Sequence, residues 1–124
     1  MTFTEAATQF ADGEIDLLHI DGFHTYDAVA GDFATWLPRL SERAVVLFHD
    51  CNVRRDDFGV WRFWREIRSR YPHFEFVHGY GLGVLGVGRH PHRGDEDEGV
   101  GAVVVETPDG HRVGHAAGHA GLGR

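Results

Sequence analysis

Four side chains suited to chemistry follow two apolar stretches of this chain. Asp21 comes directly after the stretch from 15 to 20, with His24 three residues further on, and His49 and Asp50 follow the stretch from 44 to 48. In an open α/β sheet, ligands bind outside the carboxyl ends of the strands, so these four residues are expected to meet at one site. The carboxylates suit a hard divalent cation such as Mg²⁺, and the histidines suit general-base catalysis because imidazole titrates near neutral pH.

A hydroxyl group is the substrate that such a site favours. A cation held by Asp21 and Asp50, with Asn52 as a third oxygen ligand, would acidify a hydroxyl bound to it. The structural alternative is that Asp21 begins a turn with Gly22 and caps the next helix, while His49 is an ordinary loop residue. Two Asp/His pairs at the ends of two neighbouring strands favour the functional interpretation.

The elements that position these residues follow from the hydropathy pattern. The stretches 15–20 and 44–48 are short and apolar, as expected of parallel strands covered on both faces. Between them, apolar residues recur every three or four positions from Thr25, a predicted N-cap, to about Pro38. A strand, helix and strand of this length predict a right-handed parallel crossover. His19, inside the first strand, is expected to be a hydrogen-bonded core residue.

The flanking segments complete a mixed α/β pattern. Thr2 and Glu5 predict a capping box at the start of a short N-terminal helix. Asp57 is predicted to cap a helix that Pro72 ends, and the segment 74–87 contains two apolar runs separated by glycines. These runs predict a terminal antiparallel hairpin beside the parallel strands.

Two further patterns have structural interpretations. The segment 81–86 matches the dinucleotide pattern G-x-G-x-x-G, but no helix start follows it, and the glycines are expected to let side chains pack over a strand. Trp36, Trp61 and Trp64 fall on the apolar stripes of the two longer predicted helices, so we expect them in the core and not in a ligand cage.

Composition narrows the classes of partner. The chain of 124 residues has a formal net charge of -7, which disfavours nucleic acid or an anionic membrane as the main partner. No stretch approaches the length of a membrane span, and the N-terminus lacks the pattern of a signal peptide. Cys51 is the one cysteine. These features predict a cytoplasmic protein.

The last third of the chain differs in composition from the rest. Residues 89–124 are rich in Gly and His and include an acidic run at 95–98. They are expected to form a low-complexity, disordered tail, whereas residues 1–88 form the folded domain. A strand over 102–106, with a turn leading into a second strand at 111–113, is the ordered alternative within this segment.

Three motifs give the chain a resemblance to a known family. They are Ile-Asp-Leu-Leu-His-Ile-Asp-Gly-x-His-x-Tyr from 15 to 26, Asp-x-x-x-Trp-Leu-Pro from 32 to 38, and Val-Val-Leu-Phe-His-Asp from 45 to 50. This pattern resembles the second half of class I S-adenosylmethionine-dependent methyltransferases. It is most similar to the bacterial small-molecule O-methyltransferase branch that includes macrocin- and cephalosporin-type enzymes and domains found beside glycosyltransferases.

The resemblance implies both a fold and a reaction. The fold is part of a Rossmann-like sheet that ends in an antiparallel hairpin, and the reaction is methyl transfer from S-adenosylmethionine to a hydroxyl of a small molecule, such as a sugar. Asp21 and Asp50 fall at the divalent-metal positions of some members, with His24 and His49 beside them. Cys51 stands where some metal-dependent members have another oxygen ligand.

The chain also departs from the family pattern. No segment before Ile15 supplies the strand and Gly-rich loop that hold the cofactor in the family, so the chain is expected to be the C-terminal half of the enzyme and inactive alone. The strand 15–20 would then have an unpaired edge, which predicts self-association or pairing with a partner chain there. The alternatives are a non-catalytic interaction module that pairs through this edge and, less favoured, a metal-dependent hydrolase.

Overall fold

The structure is a computed structural model that describes residues 2–21, 25–55, 57–88, 102–107 and 110–115, with side chains in the last two ranges described only for 103–105. The helices are α1 (Phe3–Ala6), α2 (Tyr26–Trp36) and α3 (Val60–Ile67), and a short 3₁₀ turn extends each of them. The strands are β1 (Ile15–Ile20), β2 (Leu40–His49), β3 (His73–Phe76), β4 (Leu82–Gly86), β5 (Ala102–Thr107) and β6 (Gly110–His115). No described helix is long and apolar enough to cross a membrane.

The strands form one sheet in the order β3-β4-β2-β1-β5-β6. β1 and β2 are parallel and joined through α2, whereas β4 lies antiparallel to both β2 and β3. The α/β class, the parallel unit and the antiparallel hairpin predicted from the sequence are therefore confirmed. The G-x-G-x-x-G match lies on the turn before β4 and on β4 itself, as expected of a structural segment.

The helix caps agree with the sequence in two places and differ in one. Thr2 and Glu5 form the predicted capping box, and the Thr25 side chain accepts a hydrogen bond from the backbone N–H of Ala28. The prediction that Asp57 caps α3 is wrong, because the N-cap is Gly59 and no side chain caps it. Gly59 lies so close to the start of α2 that a Cβ atom there would be 2.4 Å from the backbone nitrogen of Tyr26. The helix therefore begins after this close approach.

The core lies between the sheet and helices α1 to α3. Trp36 and Trp64 are buried, as predicted, and the Trp64 ring covers Gly83 of β4, where a Cβ atom would be 2.8 Å from it. Only a glycine in β4 leaves room for this ring, which confirms the expected packing over a strand. Trp61 is half-buried and was wrongly assigned to the core, since it lies on the flank of α3 between two arginine side chains.

The outer edge of β1 is covered, contrary to the expectation from the sequence. β5 pairs with β1 in parallel, with Leu18 opposite Val104 and His19 opposite Val105, so β1 has a partner on both sides. The open β1 edge from which association was predicted is therefore absent from the described structure, and self-association stays a prediction. β5 and β6 lie in the segment predicted to be a tail, where the alternative of a strand over 102–106 agrees with the structure. The remaining tail residues lie outside the described residues.

Candidate functional site

The parallel pairing of β1 and β2 brings their carboxyl ends to one place. Ile20 pairs with Phe48, so the next residues, Asp21 and His49, lie side by side at the carboxyl ends of the two strands, and Asp50 follows. Asp21, His49 and Asp50 offer one ligand atom each within 4.8 Å of one another, and we call this group the DHD cluster. The structure therefore brings these three residues together, as the sequence predicted. His24 lies outside the described residues.

The imidazole of His49 lies between the two carboxylates. Its Nδ1 atom is 3.0 Å from Asp50 Oδ1 and 3.3 Å from Asp21 Oδ1. The Asp50 side chain is nearly buried, at 12% exposure, while those of Asp21 and His49 are 26% and 42% exposed. The cluster is therefore partly exposed to solvent, and the Asp50 carboxylate is its most buried group.

The Nδ1 atom of His49 is a buried polar atom without a hydrogen-bond partner among the described residues. Its short distances to the two carboxylates do not have hydrogen-bond angles, so they are electrostatic contacts only. A buried polar atom in this state is uncommon and indicates a ligand or a proton that organises the group. Two carboxylate oxygens and one imidazole nitrogen fit a divalent cation that accepts mixed ligands. They fit Mg²⁺ less well, because Mg²⁺ prefers oxygen ligands.

The loop after β2 holds Asp50 in a backbone conformation that few residues adopt. Its φ angle is 60°, in the left-handed region, and its N–H donates to the carbonyl of Gly81 at 3.1 Å. The N–H of Asn52 donates to the Tyr80 carbonyl at 2.8 Å, so the turn between β3 and β4 fixes this loop. The exposed Asn52 side chain remains only a predicted oxygen ligand, whereas the structure gives His49 as the third neighbour of the carboxylates.

His19 lies beside the DHD cluster, whereas the sequence predicted a hydrogen-bonded core residue. Its ring is 5.7 Å from that of His49, and its Nε2 atom is buried without a hydrogen-bond partner among the described residues. Burial lowers the pKa of His19, an effect that the Asp21 charge partly opposes. The alternation of side chains along a strand places residues 19 and 21 on one face, and that period was the available signal.

Cys51 does not extend the cluster. Its side chain is buried, and burial raises the pKa of the thiol to about 12, with the charge of Glu75 adding to the effect. Among the described residues, the side chains whose ligand atoms lie close together are Asp21, His49 and Asp50, and Cys51 is not among them. Cys51, which stands where the resemblance places another oxygen ligand, is thus a core residue.

Comparison with known proteins finds similarity over part of this chain. Residues 1–51 match a family model described as a methyltransferase domain. The chain is 50% identical over 84 residues, 68% of its length, to the uncharacterized protein y4gI of Sinorhizobium fredii. The chain spans 9% of the length of that relative.

A solved structure shares the fold. A crystal structure of a protein from Corynebacterium glutamicum, determined in a structural genomics programme, superposes with a TM-score of 0.54 at 14% sequence identity. The similarity covers 73% of this chain and 46% of that protein. At this identity it supports the α/β architecture alone. The family match, in contrast, includes Asp21, His49 and Asp50, so the complete DHD cluster lies within a stretch that matches a methyltransferase domain.

Proposed function

We propose that this chain provides the acceptor-binding half of an S-adenosylmethionine-dependent O-methyltransferase. Its acceptor is a small molecule with a free hydroxyl, such as a sugar, and His49 is the general base that takes the hydroxyl proton. In the reaction the O–H bond breaks, the oxygen forms a bond to the methyl carbon, and the bond from that carbon to sulfur breaks. The observation that carries the proposal is the position of His49 Nδ1 between two carboxylates at the carboxyl ends of adjacent parallel strands.

The geometry supports a division of labour within the DHD cluster. Asp21 and Asp50 lie beside Nδ1, and we assign the other ring nitrogen, Nε2, as the one that takes the proton from the acceptor. The two carboxylates lie next to the ring that becomes positively charged when it takes this proton, so they stabilise the charge in place. The buried Nδ1 and the 42% exposure of the whole side chain agree with a ring whose other atoms reach solvent.

A divalent cation is the second way in which this cluster can activate a hydroxyl. Asp21, His49 and Asp50 would hold the ion, and the ion would supply a Lewis acid that acidifies the acceptor hydroxyl. Mn²⁺ or Zn²⁺ suits two oxygens and one nitrogen better than Mg²⁺ does. In this case His49 is a ligand and the base is another group.

The cofactor side of the proposal rests on the family. Methyl transfer needs S-adenosylmethionine, and in the described part of the chain no strand leads into a helix through a Gly-x-Gly loop. Binding of the cofactor by these 124 residues therefore stays a proposal. Activity is best measured in the longest native polypeptide that contains them.

The test is methyl transfer from labelled S-adenosylmethionine to hydroxyl acceptors by that polypeptide, with His49→Gln compared with the wild type. Loss of a general base lowers turnover by about 10² to 10⁴-fold, and we expect a loss in this range. His78→Gln is the matched control, because His78 is exposed on the turn between β3 and β4. Its turnover should be unchanged.

Chelation separates the two roles of the cluster. If His49 is the base, wild-type turnover is unchanged by a chelator. The pH profile of His49→Gln then lacks the limb by which the wild-type profile reports a base. If a cation acts, the chelator abolishes turnover and Mn²⁺ or Zn²⁺ restores it. Turnover of His49→Gln equal to that of the wild type contradicts the proposal in both forms.

A further inference from the structure

A cavity of about 220 Å³ opens between the starts of α2 and α3. Its lining residues come from the first turns of the two helices and from the segment before α3, and they are Tyr26, Asp57, Phe58, Gly59, Trp61 and Arg62. α2 is the helix that follows Asp21, and α3 follows the loop that begins at Asp50. Both helices begin near the carboxyl ends of β1 and β2. The cavity therefore lies at the same end of the sheet as the DHD cluster.

Arginine side chains surround the aromatic wall of this cavity. The guanidinium carbons of Arg54 and Arg65 are 5.0 and 5.7 Å from the centre of the Trp61 ring. The guanidinium carbon of Arg62 is 4.2 Å from the centre of the Tyr26 ring. We call these three arginines and two rings the arginine-aromatic patch. Trp61 is held in place by a hydrogen bond from its Nε1 to the Phe58 carbonyl at 3.1 Å.

The arginines of the patch differ from the paired arginines of the same chain. Within the residues that the structure describes, neither Arg54, Arg62 nor Arg65 has a carboxylate within salt-bridge distance. Arg39 and Arg43, in contrast, pair with aspartates. Three arginines without a carboxylate partner in the described part of the chain are notable, because the net charge of the whole sequence is -7.

The chemistry of the patch points to an anion attached to a ring. A guanidinium has a planar fork of donors that matches the oxygens of a phosphate, and stacking on an aromatic face holds that fork in position. Trp61 and Tyr26 are partly exposed beside these guanidinium groups, so a ligand that reaches the arginines can also contact their apolar atoms. Pockets for whole ligands usually exceed about 300 Å³, so this smaller cavity suits one group of a larger molecule.

We propose that the arginine-aromatic patch binds the phosphate of a phosphorylated sugar or of a nucleotide-linked sugar, and so directs the sugar hydroxyl to the DHD cluster. This inference rests on the proposed function for the identity of the acceptor, but the binding itself does not require methyl transfer. Asp57 is the one carboxylate in the lining. It faces the same cavity as Arg62, where it accepts hydrogen bonds from sugar hydroxyls and weakens the binding of a bare anion.

The experiment is titration of the 124-residue chain with pyrophosphate, glucose 1-phosphate and methyl glucoside, in the absence of S-adenosylmethionine. Binding is followed by the NMR signal of the Trp61 indole N–H. We expect both phosphate compounds to bind, with an affinity that falls as salt rises, and methyl glucoside to bind far more weakly. Arg62→Gln should weaken phosphate binding about tenfold, because a hydrogen bond between charged groups is lost.

Matched variants distinguish a built site from general charge. Arg70→Gln removes the same charge from an exposed position beyond the end of α3 and should leave binding unchanged. Asp57→Asn should strengthen pyrophosphate binding. Arg54→Gln serves as a second loss-of-binding variant, and thermal melts confirm that each variant is folded.

Three results would overturn the inference. They are equal binding of glucose 1-phosphate and methyl glucoside, no shift of the Trp61 signal with any phosphate compound, and equal losses for Arg62→Gln and Arg70→Gln. None of these results depends on methyl transfer. If the patch does not bind phosphate, the proposed role of His49 is unaffected. If His49→Gln keeps its turnover, the proposed phosphate site is unaffected.

Discussion

The two ends of the β1-β2 pair both carry acidic side chains, but their partners differ. At the amino ends, Asp16 accepts hydrogen bonds from the hydroxyl of Ser41 and from the guanidinium of Arg43 at 3.1 Å. Nearby, Asp12 pairs with Arg39 at 2.6 Å. At the carboxyl ends, the side chain described between Asp21 and Asp50 is an imidazole. Fixed cations thus compensate one end, and a titratable ring lies at the other.

This difference supports the proposed site at the carboxyl ends. A guanidinium keeps its charge at every physiological pH, so the Asp16 contacts stabilise one arrangement. An imidazole changes its charge near neutral pH and can take up or release a proton. Cavity size alone gives the opposite answer, because the larger cavity, about 760 Å³, lies at the amino ends, where Asp12, Asp16 and Arg43 contribute to its lining. The choice between the two ends therefore rests on the identity of the carboxylates' partners and not on cavity volume.

In the comparison of the two strand ends, the largest expected effect is loss of turnover in Asp21→Asn. This change removes one carboxylate beside His49 Nδ1 and should lower methyl transfer by about 10²-fold or more, since a preorganised charge next to the base is lost. The same variant should melt at or above the wild-type temperature, because one of two neighbouring carboxylates is removed. Turnover and a thermal melt of the same preparation are the measurements.

Asp16→Asn is the control for that experiment. It makes the same chemical change at the amino end of the strand, so turnover per folded molecule should stay at the wild-type level. A loss of turnover as large as that of Asp21→Asn would remove the functional distinction between the two ends.

The second effect concerns stability at the amino ends. Asp16→Ala should lower the free energy of unfolding by about 1 to 3 kcal/mol, because Arg43 and Ser41 lose their shared acceptor in a half-buried place. Asp12→Ala is the comparison, since the Asp12 side chain is 77% exposed and surface pairs contribute about 0 to 1 kcal/mol. Urea unfolding measures both. Equal losses would show that burial does not distinguish the two pairs.

The smallest effect is a pH dependence that arises from His19. Burial lowers the pKa of His19 in the folded chain, so the unfolded chain takes up the proton first as the pH falls below about 6.5. Stability is therefore complete above that pH and decreases as the pH falls towards the lowered pKa of the folded state. Urea unfolding between about pH 7.5 and 5.5 should show a smaller decrease for His19→Gln than for the wild type. Parallel curves would mean that His19 does not report the desolvation of this region.

Local sequence patterns predicted the unit that carries the site. The capping box of Thr2, the N-cap at Thr25 and the strands on either side of α2 depend on residues within a few positions of each other. Their period and capping chemistry are visible in the chain itself. The positions of Asp21 and Asp50 after two neighbouring parallel strands follow from the same patterns, because the connection of such strands has few alternatives.

Features formed by distant segments were not predictable in the same way. The coverage of β1 by β5, the contact of Gly59 with Tyr26 and the position of His19 beside His49 each join segments that are far apart in the chain. The error at Asp57 has this cause, since close packing of α3 on α2 decides where α3 begins. No local period encodes such contacts.

The sequence by itself determined the α/β unit, most of the core residues of its helices and the acidic and histidine residues at two strand ends. Only the tertiary structure decided that His49 Nδ1 lies between Asp21 and Asp50, with a backbone at Asp50 held by the turn before β4. The physical reason is that period and capping act over a few residues, whereas sheet register and charge proximity depend on which distant segments pack together.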